Sequence, residues 1–293
     1  MAEASRFDIA SVGAGIAGSA LATALSGRGL SIALIEARPL QSPELPAKCE
    51  LDNFDARVSA LTPRSRTFLE QLAVWDTLQS YRYCAYGHMT VWDAEGTGEI
   101  EFDREEVGVP ALGYILENRA LVSALLEKVA SAPDIQVQSP VSLQSCTRLD
   151  SSRISLRMVD DSSLEAGLLV AADGALSPVR EMMGFATREW DYGHRAIVAT
   201  AQVERDHQDT AWQRFMPSGP LALLPLPGTA QHHFCSIVWS QQEALVDDLL
   251  ALTDADFCAE LGRASENRLG AVLGVSKRFA FPLRQRHAVD YVQ

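Results

Sequence analysis

"FDIASVGAGIAGSALATALSGRGLSIALIE", residues 7–36, decides the fold of this 293-residue chain. A short apolar run, "FDIASV", stops at Gly13-x-Gly15-x-x-Gly18, and a helix-forming stretch rich in alanine follows. A second apolar run, "SIALI", closes on Glu36. Strand, tight turn, helix, strand is the opening of a parallel α/β sheet. In that context Gly13 permits the turn, Gly15 lets a pyrophosphate approach the backbone, and Gly18 lets helix and strand pack closely. The helix start offers unpaired N–H groups to phosphate, and Glu36 is placed to accept from a ribose diol. A glycine-rich turn that serves packing alone is the competing reading. The flanking strand, helix and terminal acid favour dinucleotide binding.

Working outward, Ala17, Leu21, Ala24 and Leu25 are read as the buried face of the first helix, lying close to its sheet because so many residues are small. Three prolines between residues 38 and 54 mark an excursion loop. A helix is expected from Pro63, two strands around a Gly-rich turn over 86–103, and an amphipathic helix in "NRALVSALLEKVA", 118–130. Residues 135–172 read as a run of strands. After about residue 186 the pattern is strands again, then helices over 241–251 and 254–264, and a last strand in "SKRFAFPL", 276–283. A plain NAD dehydrogenase would continue with alternating strand and helix. The departure into the 38–54 loop and a hairpin favours FAD, whose flavin end reaches toward another domain.

A second stretch, "LVAADGALSPVR" (169–180), runs from an apolar strand into Asp173-Gly174 and then a proline-started helix. From the residues alone, Asp173 either caps that helix or faces polar cofactor atoms, with Arg180 one turn later to offset phosphate charge.

Composition bounds the rest. The net charge of −13 argues against a nucleic-acid partner, which needs a basic face. Five scattered cysteines without a C-x-x-C imply reduced thiols in a cytosolic protein. None of the six histidines (88, 194, 207, 232, 233, 287) has metal-ligand spacing, so no metal is expected. No nucleophile elbow occurs, and no catalytic residue is identified. No basic-then-apolar leader opens the chain, and no run is long enough to span a bilayer.

"DARVSALTPRS" (55–65), "ILENRALVSALL" (115–126), "LVAADGALSPVR", "WDYGHRAIVAT" (190–200), "PLPG" (225–228) and "CSIVW" (235–239) together resemble the flavoprotein aromatic hydroxylases, in their ubiquinone-biosynthesis branch. The resemblance covers essentially the whole chain and is strongest to members that hydroxylate C5 of a 2-polyprenylphenol. It implies a Rossmann-like α/β FAD-binding domain over 1–85 and 105–185. A β-sheet substrate domain over 86–104 and 186–283 would accompany it, with 284–293 returning toward the first. It implies FAD contacts at Gly13, Gly15, Gly18, Glu36, Arg57, Asn118, Arg119, Asp173, Gly174 and Arg180, and NAD(P)H as transient reductant. An exposed ion pair is the alternative for Arg57. The aromatics Trp190, Tyr192, Trp212, Phe234 and Trp239 either line an apolar channel or are core.

The family's third fingerprint, a strand ending in Gly-Asp, is expected just past "RHAVDYVQ" (286–293). Its absence implies weakened FAD affinity and an open sheet edge that invites self-association. Peripheral docking at the inner membrane or in a biosynthetic complex is expected for a polyprenylphenol hydroxylase. The alternatives are another FAD oxidoreductase acting on an apolar molecule, or a non-catalytic scaffold.

Overall fold

A computed structural model describes residues 5–293; the first four residues of the stretch read for a leader lie outside it. The chain divides into two compact units, 1–44 with 121–189 and 286–293, and 45–120 with 190–285.

The first unit is built on a six-stranded sheet in the order Ile135–Gln138, Ile32–Ile35, Ser5–Val12, Ser163–Ala171, Ile154–Met158, Leu143–Arg148. The first four strands are parallel and the last two antiparallel. Ile32, Ala33, Leu34 and Ile35 are all fully buried, as a parallel strand covered on both faces requires. On one face, Ile32 and Leu34 pack with Ala22 and Val129, side chains of two helices. On the other, Ala33 and Ile35 pack with Ile154 and Leu156 of the antiparallel Ile154–Met158, with Leu164 of Ser163–Ala171 and with Val179.

The first helix, Ile16–Leu25, buries Gly18, Ser19, Ala20 and Ala22, and Ala17 is exposed, so the expected 17/21/24/25 face is corrected. An apolar periodicity made of alanines points nowhere in particular. The smallest side chains decide, because they let the helix approach: a Cβ on Gly18 would sit 1.8 Å from the Gly13 carbonyl oxygen. Beyond Ala166 the strand Ser163–Ala171 pairs only with Ser5–Val12 among the described residues, and Leu168 is 53% exposed.

The second unit holds an eight-stranded sheet whose longest strand, Thr187–Val203, begins in the first unit and pairs with His233–Gln242. The helices Glu243–Ala251 and Asp254–Ala264 cover one of its faces through Val246, Phe257 and Leu261. The 86–103 hairpin joins this sheet: His88–Asp93 pairs parallel with Thr210–Phe215. A three-stranded sheet of Val58–Leu61, Gly113–Glu117 and Cys84–Tyr86 packs in the same unit. Segments 45–85 and 105–120, assigned by resemblance to cofactor binding, therefore group by packing with the eight-stranded sheet. No described helix is long and apolar enough to cross a membrane.

All five cysteines are free thiols. Burial pushes Cys84 and Cys258 up, Cys235 up to about 12, and Cys146, helped by the Asp173 charge, up to about 11. Thiolate is the reactive form. At pH 8 a disulfide reagent is therefore expected to titrate Cys49 in a single fast phase, with the partly exposed Cys146 following slowly and the buried Cys84, Cys235 and Cys258 reacting only after denaturation. Two or more fast native thiols would contradict this packing.

Candidate cofactor site

Three neighbouring parallel strands end at one level. Val12 pairs with Ile35 on one side and Ala171 on the other. The Gly13 N–H donates to the Ile35 carbonyl at 2.8 Å, and the Ala172 N–H donates to the Val12 carbonyl at 2.8 Å. The turns that follow, Gly13–Gly15, Glu36 and Ala172–Gly174, thus share the carboxyl end of the sheet, where open α/β sheets bind their ligands. The two sequence signals, about 160 residues apart, meet there. Gly13 has φ +101°, and a Cβ on it would fall 2.3 Å from the Ala172 carbonyl oxygen and 2.9 Å from Asp173 Cα. The strand register alone brings the acidic bend against the glycine loop.

The groups around this bend divide into engaged and open ones. Glu36 Oε2 accepts from the Ala14 N–H at 2.8 Å and Oε1 from the Arg38 N–H at 3.0 Å, which fixes the carboxylate beside the loop. Asp173 Oδ2 accepts from the Val179 N–H at 3.1 Å, while Ser177 Oγ, the helix N-cap, accepts from the Arg180 N–H at 3.0 Å. Capping therefore uses one Asp173 oxygen. The other, Oδ1, is buried with no partner, a costly arrangement unless another group uses it. Gly15 caps the first helix without a side-chain bond, and a Cβ there would meet nothing within 4 Å. Open N–H groups beside empty space suit a diphosphate, so this cradle fits the ADP half of FAD.

Gly174 lies at φ +89° with open surroundings. The Arg180 guanidinium turns back to the Ala175 carbonyl at 2.9 Å. Sequence reasoning missed Arg286, which also donates to that carbonyl, at 2.5 Å, and holds Glu189 through two hydrogen bonds of 2.5 and 2.8 Å. Only an Arg late in the chain opposite an acid could have signalled it.

In the second unit, Arg57, Asn118 and Arg119 come together at one corner. The Asn118 N–H donates to the Arg57 carbonyl at 2.9 Å, and Ser59 donates to Asn118 Oδ1 at 2.6 Å. The Arg57 guanidinium is exposed and makes no hydrogen bond or ion pair with a described residue. Arg119 is otherwise employed. Its Nη2 and Nε reach Glu117 Oε2 at 2.6 and 2.9 Å, and it also donates to the Asn53 carbonyl.

Glu117, 2% exposed, is the residue missed here. It additionally accepts from Arg82 Nε at 2.7 Å, Tyr81 at 3.2 Å and the Asp55 N–H at 2.7 Å. Burial, then the Glu117 charge, hold the Tyr81 hydroxyl above its ordinary pKa. An acid closing an apolar strand was the available signal.

Of the five candidate channel aromatics, Phe234 and Trp239 are core and the partly buried Trp212 packs against it. Trp239 packs on Phe257, Phe234 on Phe54, and Trp212 on Trp92. Trp190 and Tyr192 are 48% and 55% exposed and meet edge to face.

The FAD binding domain family matches residues 6–293. The chain belongs to this family. It is 35% identical over 98% of its length to the 3-demethoxyubiquinol 3-hydroxylase of Escherichia coli, of which it spans 70%. It is 33% identical over 97% to ubiquinone hydroxylase UbiL of Rhodospirillum rubrum, of which it spans 63%. With the mouse ubiquinone biosynthesis monooxygenase COQ6 it is 34% identical over 88%, spanning 55% of that protein. These place it in the ubiquinone-biosynthesis branch of the FAD-dependent hydroxylases. The fold is shared more widely. Pseudomonas aeruginosa PqsL in complex with 2-aminobenzoylacetate superposes with TM-score 0.75 at 18% identity, over 95% of this chain and 74% of that one. Aklavinone-11 hydroxylase with FAD and aklavinone gives 0.64 at 20%, over 100% and 56%.

Proposed function

We propose that this flavoprotein hydroxylates the aromatic ring of a polyprenylphenol in ubiquinone biosynthesis, at C5, consuming NAD(P)H and O₂. The observation that carries the reading is the unpartnered buried Asp173 Oδ1 beside the open glycine loop. FAD, when bound, supplies the two-electron chemistry with O₂ that no side chain can perform.

The chain's own residues bind and orient. The Gly13–Gly18 turn and the start of the first helix take the pyrophosphate, and Glu36 takes the adenosine ribose. Asp173, Gly174 and Arg180 serve polar cofactor atoms at the second bend. Arg57 and Asn118 serve the flavin side, with Arg119 and Glu117 fixing the corner that carries them. The apolar sheet of the second unit accepts the prenyl tail and excludes water. Peripheral docking at the inner membrane, or onto partners of the pathway, brings protein and tail together. Co-sedimentation with liposomes tests that part.

Overall, phenol, O₂, NAD(P)H and a proton give the hydroxylated phenol, NAD(P)⁺ and water. The test is NAD(P)H oxidation by protein reconstituted with FAD, with and without a 2-polyprenylphenol. Phenol-dependent oxidation with a product one oxygen heavier is expected. Oxidation indifferent to the phenol favours a different FAD oxidoreductase, and none at all favours a scaffold. The E. coli relative is named for a different ring position, so the position of the new hydroxyl decides the step.

A further inference from the structure

A second constellation lies wholly within the second unit and plays no part in the flavin reading. Cys84 opens the strand Cys84–Tyr86, and His207 and Asp209 form the turn that leads into Thr210–Phe215. One ligating atom from each lies within 4.8 Å of the other two. The Cys84 thiol donates to Asp209 Oδ1 at 3.6 Å. His207 is 7% exposed, and its Nε2 sits 2.9 Å from the Leu226 carbonyl oxygen. A carbonyl there requires the hydrogen on Nε2 and leaves Nδ1 as the ring's lone pair, facing the Asp209 N–H at 3.1 Å.

The backbone is bent to produce this grouping. Gln208 and Asp209, neither of them glycine, both adopt the left-handed region, at φ 52° and 50°. Such strain gathers at functional sites. The double bend returns the Asp209 carboxylate to the thiol.

We propose that Cys84 Sγ, His207 Nδ1 and Asp209 Oδ1 form a site for a zinc-class divalent cation. A sulfur, an imidazole nitrogen and one carboxylate oxygen are the donors zinc selects over magnesium or calcium. In a tetrahedral zinc site sulfur and oxygen ligands stand about 3.5 Å apart, close to the Cys84–Asp209 separation. The Leu226 carbonyl on Nε2 is the outer partner that ligating histidines ordinarily have. The exposed Asp206 brings its Oδ1 to 3.8 Å from His207 Nδ1, within reach of a fourth position. On binding, the thiol proton leaves to water, the Asp209 N–H releases Nδ1, and no electron is transferred. The cation then ties the three-stranded sheet to the eight-stranded one.

The test is cobalt(II), then zinc, added to the reduced chain. Cobalt is expected to give a thiolate-to-metal charge-transfer band at one equivalent, which zinc abolishes. Cys84→Ser is expected to lose the band, and Cys49→Ser and Cys258→Ser to keep it. Asp209→Asn, an exposed substitution that keeps the volume, is expected to weaken zinc binding at least ~10-fold with the fold intact, and it decides the matter if Cys84→Ser unfolds. No band in the parent, a band surviving Cys84→Ser, or unchanged zinc affinity in Asp209→Asn would each overturn the proposal.

Discussion

Gly13→Ala is expected to destabilise the first unit by roughly 3 kcal/mol or more, and to abolish flavin uptake with it. Two costs add. The backbone at φ +101° lies outside the region open to any residue with a Cβ. The new methyl would also stand 2.3 Å from the Ala172 carbonyl oxygen and 2.6 Å from its carbon. Both of those atoms are backbone, and Ala172 is itself bonded to Val12, so neither can swing aside. Gly18→Ala meets the Gly13 carbonyl and is expected to behave alike. Gly15→Ala has no positive φ and no neighbour within 4 Å, so it should melt within about 1 kcal/mol of the parent. Thermal unfolding of the three variants checks the contrast. A Gly13→Ala protein as stable as Gly15→Ala would mean that the loop and the acidic bend do not touch.

Glu117→Ala is expected to cost about 3–5 kcal/mol. The pair it anchors is worth little if traded whole for apolar side chains, but removing one member leaves its partners charged in a dry site. Arg82 and Arg119 have side chains only 8% and 21% exposed, and the Asp55 N–H would lose its acceptor. Glu117→Gln keeps the volume and some of the hydrogen bonds, so a smaller loss is expected. Because the same carboxylate fixes the loop that carries Arg57 and the corner that carries Asn118, FAD affinity should fall in Glu117→Gln even where the protein remains folded. Denaturant titration and flavin binding on the same samples check both halves. Equal stability of Glu117→Ala and parent would contradict the buried network.

What could be read from the sequence was local. Gly13-x-Gly15-x-x-Gly18 and the Asp173-Gly174 bend each carry their geometry in adjacent residues, so the turns were legible, and the parallel register between their strands supplied the meeting point. The buried face of the first helix was not legible, because alanine on every side carries no direction. The grouping of 45–85 and 105–120 with the larger sheet rests on packing such as Phe54 and Ile115 with Leu226 and Phe234, which no short window contains. Cys84 and Asp209 are 125 positions apart, so spacing rules written for metal motifs had nothing to find. Glu117 looked like any acid at a strand end until burial gave it four donor residues.

The claim on which the rest stands is that the glycine loop and the acidic bend together grip FAD. Flavin fluorescence during titration of FAD with the parent chain and with Gly15→Val tests it most directly, because a Cβ at Gly15 meets nothing within 4 Å and the side chain would enter the space where the proposed pyrophosphate lies. Saturable quenching by the parent, with affinity lower by at least ~10-fold in a Gly15→Val protein of unchanged melting temperature, is the predicted result. A parent that never quenches the flavin, or a Gly15→Val protein that binds it equally well, would contradict the account.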